Sequence, residues 1–203
     1  MTNRSLCTRC GYVINTCLCA ALQQPITNQC RILILRDTSE VSNVKNTAHL
    51  LKLGLARLDI IDGDAPPHFA AALQQLDPTT TALLYPGTQA QLLPQTPKEA
   101  IAKFSTLVVL DGTWKKAYKL FQQLPELKRF SQVSFATVPA SQYVIRKAEQ
   151  SYSLSTLEAV ALYLHYTEAL DPKPLYQLLS ALIEQQTQYM PADVKRRYLG
   201  ENI

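Results

Sequence analysis

The stretch FSTLVVL, residues 104–110, constrains the fold of this chain more than any other. It is mostly β-branched and aliphatic, without the polar alternation of a strand that faces water on one side. A run of this kind is the pattern of a strand buried on both faces, as in a parallel sheet covered by helices. It empties into Asp111, Gly112, Thr113 and Trp114, the only tryptophan of the chain. Open parallel sheets bind ligands beyond the carboxyl ends of their strands, so this junction is the first place to look for a site.

Four further segments read as strands: CRILILR (30–36), LDII (58–61), TALLY (81–85) and QVSFATV (132–138). Helical spacing lies between and after them. Asn46 is placed to cap a helix running to about Leu55, and FAAALQQL (69–76) predicts a short one. After Thr113, the residues Trp114, Ala117, Tyr118, Phe121 and Leu124 predict a helix with one apolar face. Two helices close the chain, over about 156–168 and from about Pro174. Alternating strands and helices over 203 residues, 47% of them apolar, predict an α/β domain with a mainly parallel sheet and helices on both faces. The first twenty residues have no apolar core and no stretch approaches eighteen apolar residues, so neither a signal peptide nor a membrane span is expected. The formal net charge of +4 is too small to indicate nucleic acid by itself, and the placement of the cations has to carry that argument.

Cys7, Cys10, Cys17 and Cys19 form C-x2-C-x6-C-x-C, four cysteines within thirteen residues. In a chain of this length the pattern reads as a metal site in the reducing cytoplasm rather than a disulfide framework. Four thiolates suit zinc and close its coordination sphere, which makes the role structural. An iron–sulfur cluster fits the same spacing, and four unrelated thiols are the remaining reading. Cys30, inside an apolar strand, is core.

At the strand end, Asp111 is a candidate general base, Gly112 allows close approach of a ligand, and Thr113 caps the following helix. Lys115 and Lys116 in the first turn oppose the helix dipole by about 0.3–1 kcal/mol each, which points to an external anion such as RNA phosphate. The alternative is an ordinary turn acid, a core tryptophan and solvated lysines. Further on, STLE makes Ser155 an N-cap and Glu158 its partner in a capping box, which explains both without a ligand. Arg146 and Lys147 are either phosphate contacts or ordinary surface.

Five elements, in this order, resemble the DTW-domain family of tRNA-uridine aminocarboxypropyltransferases. They are the cysteine cluster, Asn46-Thr47, LLYPG (83–87), LDGTW (110–114), and Tyr143-x-x-Arg146-Lys147 followed by LSTLEAVA (154–161). The resemblance implies a fold similar to the knotted, SPOUT-like α/β group that binds S-adenosylmethionine. Residues 1–22 would form the zinc-binding segment and 23–203 the catalytic domain. It implies transfer of the 3-amino-3-carboxypropyl group of S-adenosylmethionine to N3 of a tRNA uridine, with release of methylthioadenosine. Leu84, Tyr85, Pro86, Gly87, Leu154, Ser155, Thr156 and Glu158 would hold the donor, together with Asp111, Gly112, Thr113 and Trp114. Asp111 would take the N3 proton. Lys115, Lys116, Arg146 and Lys147 would position tRNA phosphates, with Lys195, Arg196 and Arg197 extending that footprint or merely solvated. Arg36, Asp37 and Glu40 receive no role. Two other functions remain open: a SPOUT-like RNA methyltransferase and a non-catalytic, zinc-containing RNA-binding module. Monomer and homodimer are both open.

Overall fold

The computed structural model describes residues 5–22, 24–145, 153–191 and 193–195. Six strands, β1 (Arg31–Asp37), β2 (Leu58–Gly63), β3 (Thr81–Leu84), β4 (Gln91–Leu93), β5 (Thr106–Asp111) and β6 (Ser131–Phe135), form one sheet in the order β2-β1-β5-β3-β6-β4. Every ladder is parallel. The helices named among the described residues are α1 (Ala48–Gly54), α2 (Pro67–Gln74), α3 (Lys98–Ala102), α4 (Trp114–Gln123), α5 (Thr156–Glu168) and α6 (Lys173–Thr187).

The apolar runs are continuous because the sheet is covered on both sides. Ile32, Ile34, Leu107 and Val109 face one layer, packed against Leu50 and Leu51 of α1, Val160 of α5, and Leu178 and Leu182 of α6. Leu33, Leu35 and Val108 face the other layer, against Phe69 and Leu73 of α2 and Leu127 of a short 3-10 turn over Pro125–Arg129. The four β1 residues Ile32 to Leu35 are at most 1% exposed. At about 1.5–3 kcal/mol per fully buried aliphatic side chain, this two-sided burial is the main force assembling the sheet.

The sequence expectations need three corrections. β4 and α3 carry no readable signal: three residues at a sheet edge and five residues of helix are too short for periodicity to emerge. β6 stops at Phe135, and Val138 beyond it is partly exposed. The third correction concerns α4. Ala117 is buried, and Leu120 and Phe121 pack against the second core, but Trp114 and Tyr118 are 50% and 59% exposed. The helix is rolled so that its Ala117–Phe121 stripe meets the sheet. Trp114 and Tyr118, at the edge of that stripe, face outward.

The amino-terminal segment folds back onto the first layer, where Cys10 and Leu18 are buried in the same apolar cluster as α1 and α6. Among the described residues, no helix is long and apolar enough to cross a membrane.

Candidate active site

β5 delivers Asp111 to the carboxyl end of the sheet, where it is only 7% exposed. Two donors hold its carboxylate. Asn46 Nδ2 donates to Oδ2 at 2.7 Å, and Thr156 Oγ1 donates to Oδ1 at 2.5 Å. They come from the amino-terminal ends of α1 and α5, so the acid ties three distant parts of the chain together. Thr47 rather than Asn46 is the N-cap of α1. Asn46 keeps a capping bond, since its Oδ1 accepts from His49 N, but its amide group is turned toward the acid. Burial pushes the Asp111 carboxyl above the ordinary carboxylate range, and the Thr156 and Asn46 hydrogen bonds only partly offset that.

Sheet register sets Arg36 of β1 directly beside Asp111. Its guanidinium is buried and donates from Nε and Nη2 to Asp62, at 2.7 and 3.0 Å, while Nη1 has no hydrogen-bond partner among the described residues. In the neighbouring turn, Lys116 Nζ lies 2.9 Å from Glu40 Oε1 and 3.5 Å from Asp37 Oδ1. The anion that offsets the unfavourable position of Lys116 at the start of α4 is therefore supplied by the chain itself. Thr113 caps α4 by accepting from Lys116 N at 3.3 Å.

Two cavities open beside Asp111. One, of about 540 Å³, is mainly apolar and gathers Leu84, Tyr85 and Pro86 after β3 with Trp114, Phe135 and Leu154. The other, of about 320 Å³, is the more polar of the two and gathers Glu40, Asn43, Lys45, Asn46, Asp111 and Tyr143, with Thr113 at its edge. Gly112 and Thr156 line both. A Cβ on Gly112 would press on Lys116 Cβ at 3.3 Å, so a side chain here would crowd the first turn of α4.

At the amino terminus the four cysteine Sγ atoms lie within 4.8 Å of one another. Cys7 and Cys19 are 3.7 Å apart and Cys10 and Cys17 3.6 Å. A tetrahedral zinc with Zn–S bonds of about 2.3 Å needs S–S separations of about 3.8 Å, so the donor set fits a closed four-thiolate site. Gly11, at φ 73°, makes the turn that follows the first pair. The backbone N–H groups of Cys10 and Arg9 hold the Cys7 thiol down at about 6. The cluster is joined to the other site, because His49 Nε2 donates to the Cys10 carbonyl at 2.5 Å and His49 N donates to Asn46.

Residues 4–187 match the model of the DTW domain. The chain belongs to the DTW domain family. Among its relatives, the "tRNA-uridine aminocarboxypropyltransferase 2" of Drosophila melanogaster is 34% identical over 166 residues, 78% of this chain and 64% of that protein. Proteins of the same name from Macaca fascicularis and Mus musculus are 29% and 30% identical, over 81% of this chain and 57% of their own lengths. The matches thus span less than two thirds of these relatives. No solved structure matches the chain.

In this DTW domain the residues singled out from the sequence do not all meet at one place. Leu84, Tyr85, Pro86, Gly112, Trp114, Leu154 and Thr156 converge on the apolar cavity, and Asp111, Gly112, Thr113 and Thr156 on the polar one. Gly87 is set apart from both, against the side chain of Gln132. Ser155 and Glu158 are buried and serve each other: the full capping box is present. Glu158 also accepts from Ser141 Oγ at 2.9 Å and Gln142 N at 2.7 Å, fastening the 141–142 loop to α5. Glu158→Ala would leave the buried N–H and hydroxyl of Ser155 without their acceptor and unfasten the 141–142 loop, and is expected to cost on the order of 3 kcal/mol, read as a lowered denaturation midpoint. A midpoint within experimental error of the parent would contradict that account. Lys115 is exposed, whereas Arg146 and Lys147, like Arg196 and Arg197, lie outside the described residues.

Sequence reasoning missed Glu40, Asn43 and Lys45 as site residues. They lie in the polar stretch after β1, and nothing in their spacing indicates that the stretch folds over the end of β5, some seventy residues away. For Asn46 the spacing indicates only a cap. Its bond to Asp111 bridges 65 positions and leaves no local trace.

Proposed function

We propose that this chain transfers the 3-amino-3-carboxypropyl group of S-adenosylmethionine to N3 of a tRNA uridine and releases methylthioadenosine. The observation that carries the reading is the buried Asp111 carboxylate between an apolar cavity of nucleoside size and a polar one. The names of the relatives in Drosophila melanogaster and Mus musculus support the reaction class.

In this reaction a bond forms between uridine N3 and the γ-carbon of the donor as the bond from that carbon to sulfur breaks. The bonding pair goes to sulfur, which becomes a neutral thioether. The N3 proton passes to the Asp111 carboxylate and then to solvent. A carboxylate whose proton affinity is raised by burial is a better base near neutral pH than an exposed one. The Asn46 and Thr156 hydrogen bonds keep it in one orientation, which favours alignment of the reacting atoms.

The exposed face of α4 suits the RNA. Lys115 and Lys119 form no ion pair among the described residues, and Trp114 and Tyr118 offer stacking surfaces beside them. Reversal of Lys115 and Lys119 to Glu is expected to weaken tRNA binding at least tenfold, alike across tRNA sequences, and to reduce the salt slope by about one for each phosphate no longer neutralised. Unchanged affinity and slope would return both lysines to ordinary surface. Arg146 and Lys147 belong to the same proposed footprint.

The remaining parts of the reading are a structural zinc on the four cysteines of residues 1–22, a catalytic domain over 23–203, a SPOUT-like knotted topology and action in the cytoplasm. The all-parallel sheet with its site at the strand ends supports the fold assignment.

Mass spectrometry of nucleosides from bulk tRNA incubated with purified protein and S-adenosylmethionine tests the whole reading. Aminocarboxypropyluridine with methylthioadenosine is the expected result. Methyluridine with S-adenosylhomocysteine would make the protein a methyltransferase, and absence of any modified nucleoside would favour a binding module.

A further inference from the structure

The polar cavity carries charges of both signs, a feature that an uncharged base does not require. Lys45 stands in it with a half-buried side chain. Its backbone is clamped from both sides: Lys45 N donates to Asn43 Oδ1 at 3.0 Å, and its carbonyl accepts from Tyr143 Oη at 2.7 Å. Asn43 is in turn held by Glu40, to whose Oε2 it donates at 2.9 Å. The ammonium donates to the Ile145 carbonyl at 3.3 Å and has no carboxylate within ion-pair distance among the described residues. An ammonium has three N–H groups, so this fixed cation keeps donors to offer. A partly desolvated cation without a counter-ion is costly, and a bound anion would relieve that cost. The Glu40 carboxylate, which also pairs with Lys116, lines the same cavity and supplies the opposite sign.

We infer that the polar cavity binds the α-amino acid end of the donor, a carboxylate and an ammonium on one carbon, with Lys45 holding the carboxylate. The inference rests on the proposed reading in which the apolar cavity takes the adenosine. A donor held at both ends must cross from one cavity to the other at the edge formed by Gly112 and Thr156, beside Asp111. The part that passes the base is then the aminocarboxypropyl chain and not the methyl group. Holding the two ends of the donor in separate cavities thereby selects which carbon of the sulfonium meets the acceptor.

Methylthioadenosine contains the adenosine and the sulfur but lacks the amino acid end, so it separates the two cavities. Titration calorimetry of the full chain with S-adenosylmethionine and with methylthioadenosine, before and after Lys45→Met, is the test. The variant is expected to bind S-adenosylmethionine roughly 10- to 100-fold more weakly and methylthioadenosine within twofold of the parent. Lys45→Arg should restore most of the missing affinity. Unchanged S-adenosylmethionine affinity in Lys45→Met overturns the inference, and a raised KM for tRNA beside it would assign the cavity to the acceptor base. Equal weakening of both ligands also overturns it, since Lys45 would then act on the adenosine cavity or on the fold. If the parent chain binds neither ligand, the reading of the apolar cavity itself has failed.

Discussion

Asp111→Asn is expected to lower uridine modification by about 10²–10⁴-fold while methylthioadenosine still binds. The substitution keeps the size of the side chain and an oxygen for Thr156, but it removes the group that can take the N3 proton. The pH dependence is the more specific readout. Because burial raises the Asp111 carboxyl above the ordinary carboxylate range, the acid limb of the rate profile should lie above that range and vanish in the variant. Stability moves in the opposite sense to activity. A carboxyl raised in the folded state favours the fold below its unfolded value and loses that contribution as pH rises through the folded value. The denaturation midpoint of Asp111→Asn relative to the parent should therefore be more favourable at pH 7 than at pH 4. Full turnover in the variant would exclude the general-base role, and a midpoint difference that does not vary with pH would mean that the acid is not destabilised by burial.

Removal of the metal is expected to have the second large effect. The protein should carry one equivalent of zinc by elemental analysis, and a strong chelator or Cys10→Ser should lower the denaturation midpoint by on the order of 10 °C. Cys10 is buried within the core cluster shared with α1 and α6, so the loss would not stay local. The His49 bridge from the Cys10 carbonyl to Asn46 carries the disturbance to the donor that orients Asp111. Metal loss should consequently reduce turnover as well as stability. Iron with visible absorbance would replace zinc by a cluster, and an unchanged midpoint after complete chelation would show that the cysteine segment is held by packing alone.

Much of the layered fold was legible because its causes are local. A strand buried on both faces is apolar at most positions without polar alternation, so FSTLVVL and CRILILR announce a parallel sheet between two helical layers. The terminal helices show in their spacing, and the cysteine cluster shows in four letters at fixed intervals. α4 marks the boundary of this kind of inference. Its periodicity correctly indicates a helix, but the rotation of that helix about its own axis decides that Ala117 is buried and Trp114 and Tyr118 are not. That rotation is set by the layer beneath, which no window of eleven residues contains.

The candidate site divides in the same way. The sequence alone determined that an acid and a glycine end a buried strand, that a threonine caps the next helix, and that Ser155 and Glu158 cap another. Each is a relation between neighbours, enforced by backbone hydrogen bonding. Only the tertiary structure decided that Asn46 and Thr156 reach Asp111, that Glu40 and Asp37 take Lys116, and that Lys45 stands in the polar cavity with no carboxylate partner among the described residues. Those contacts join residues up to about a hundred positions apart through sheet order and register. Parallel pairing brings the carboxyl ends of β1, β3, β5 and β6 to one edge, and the side chains that meet there are chosen by topology rather than by sequence proximity.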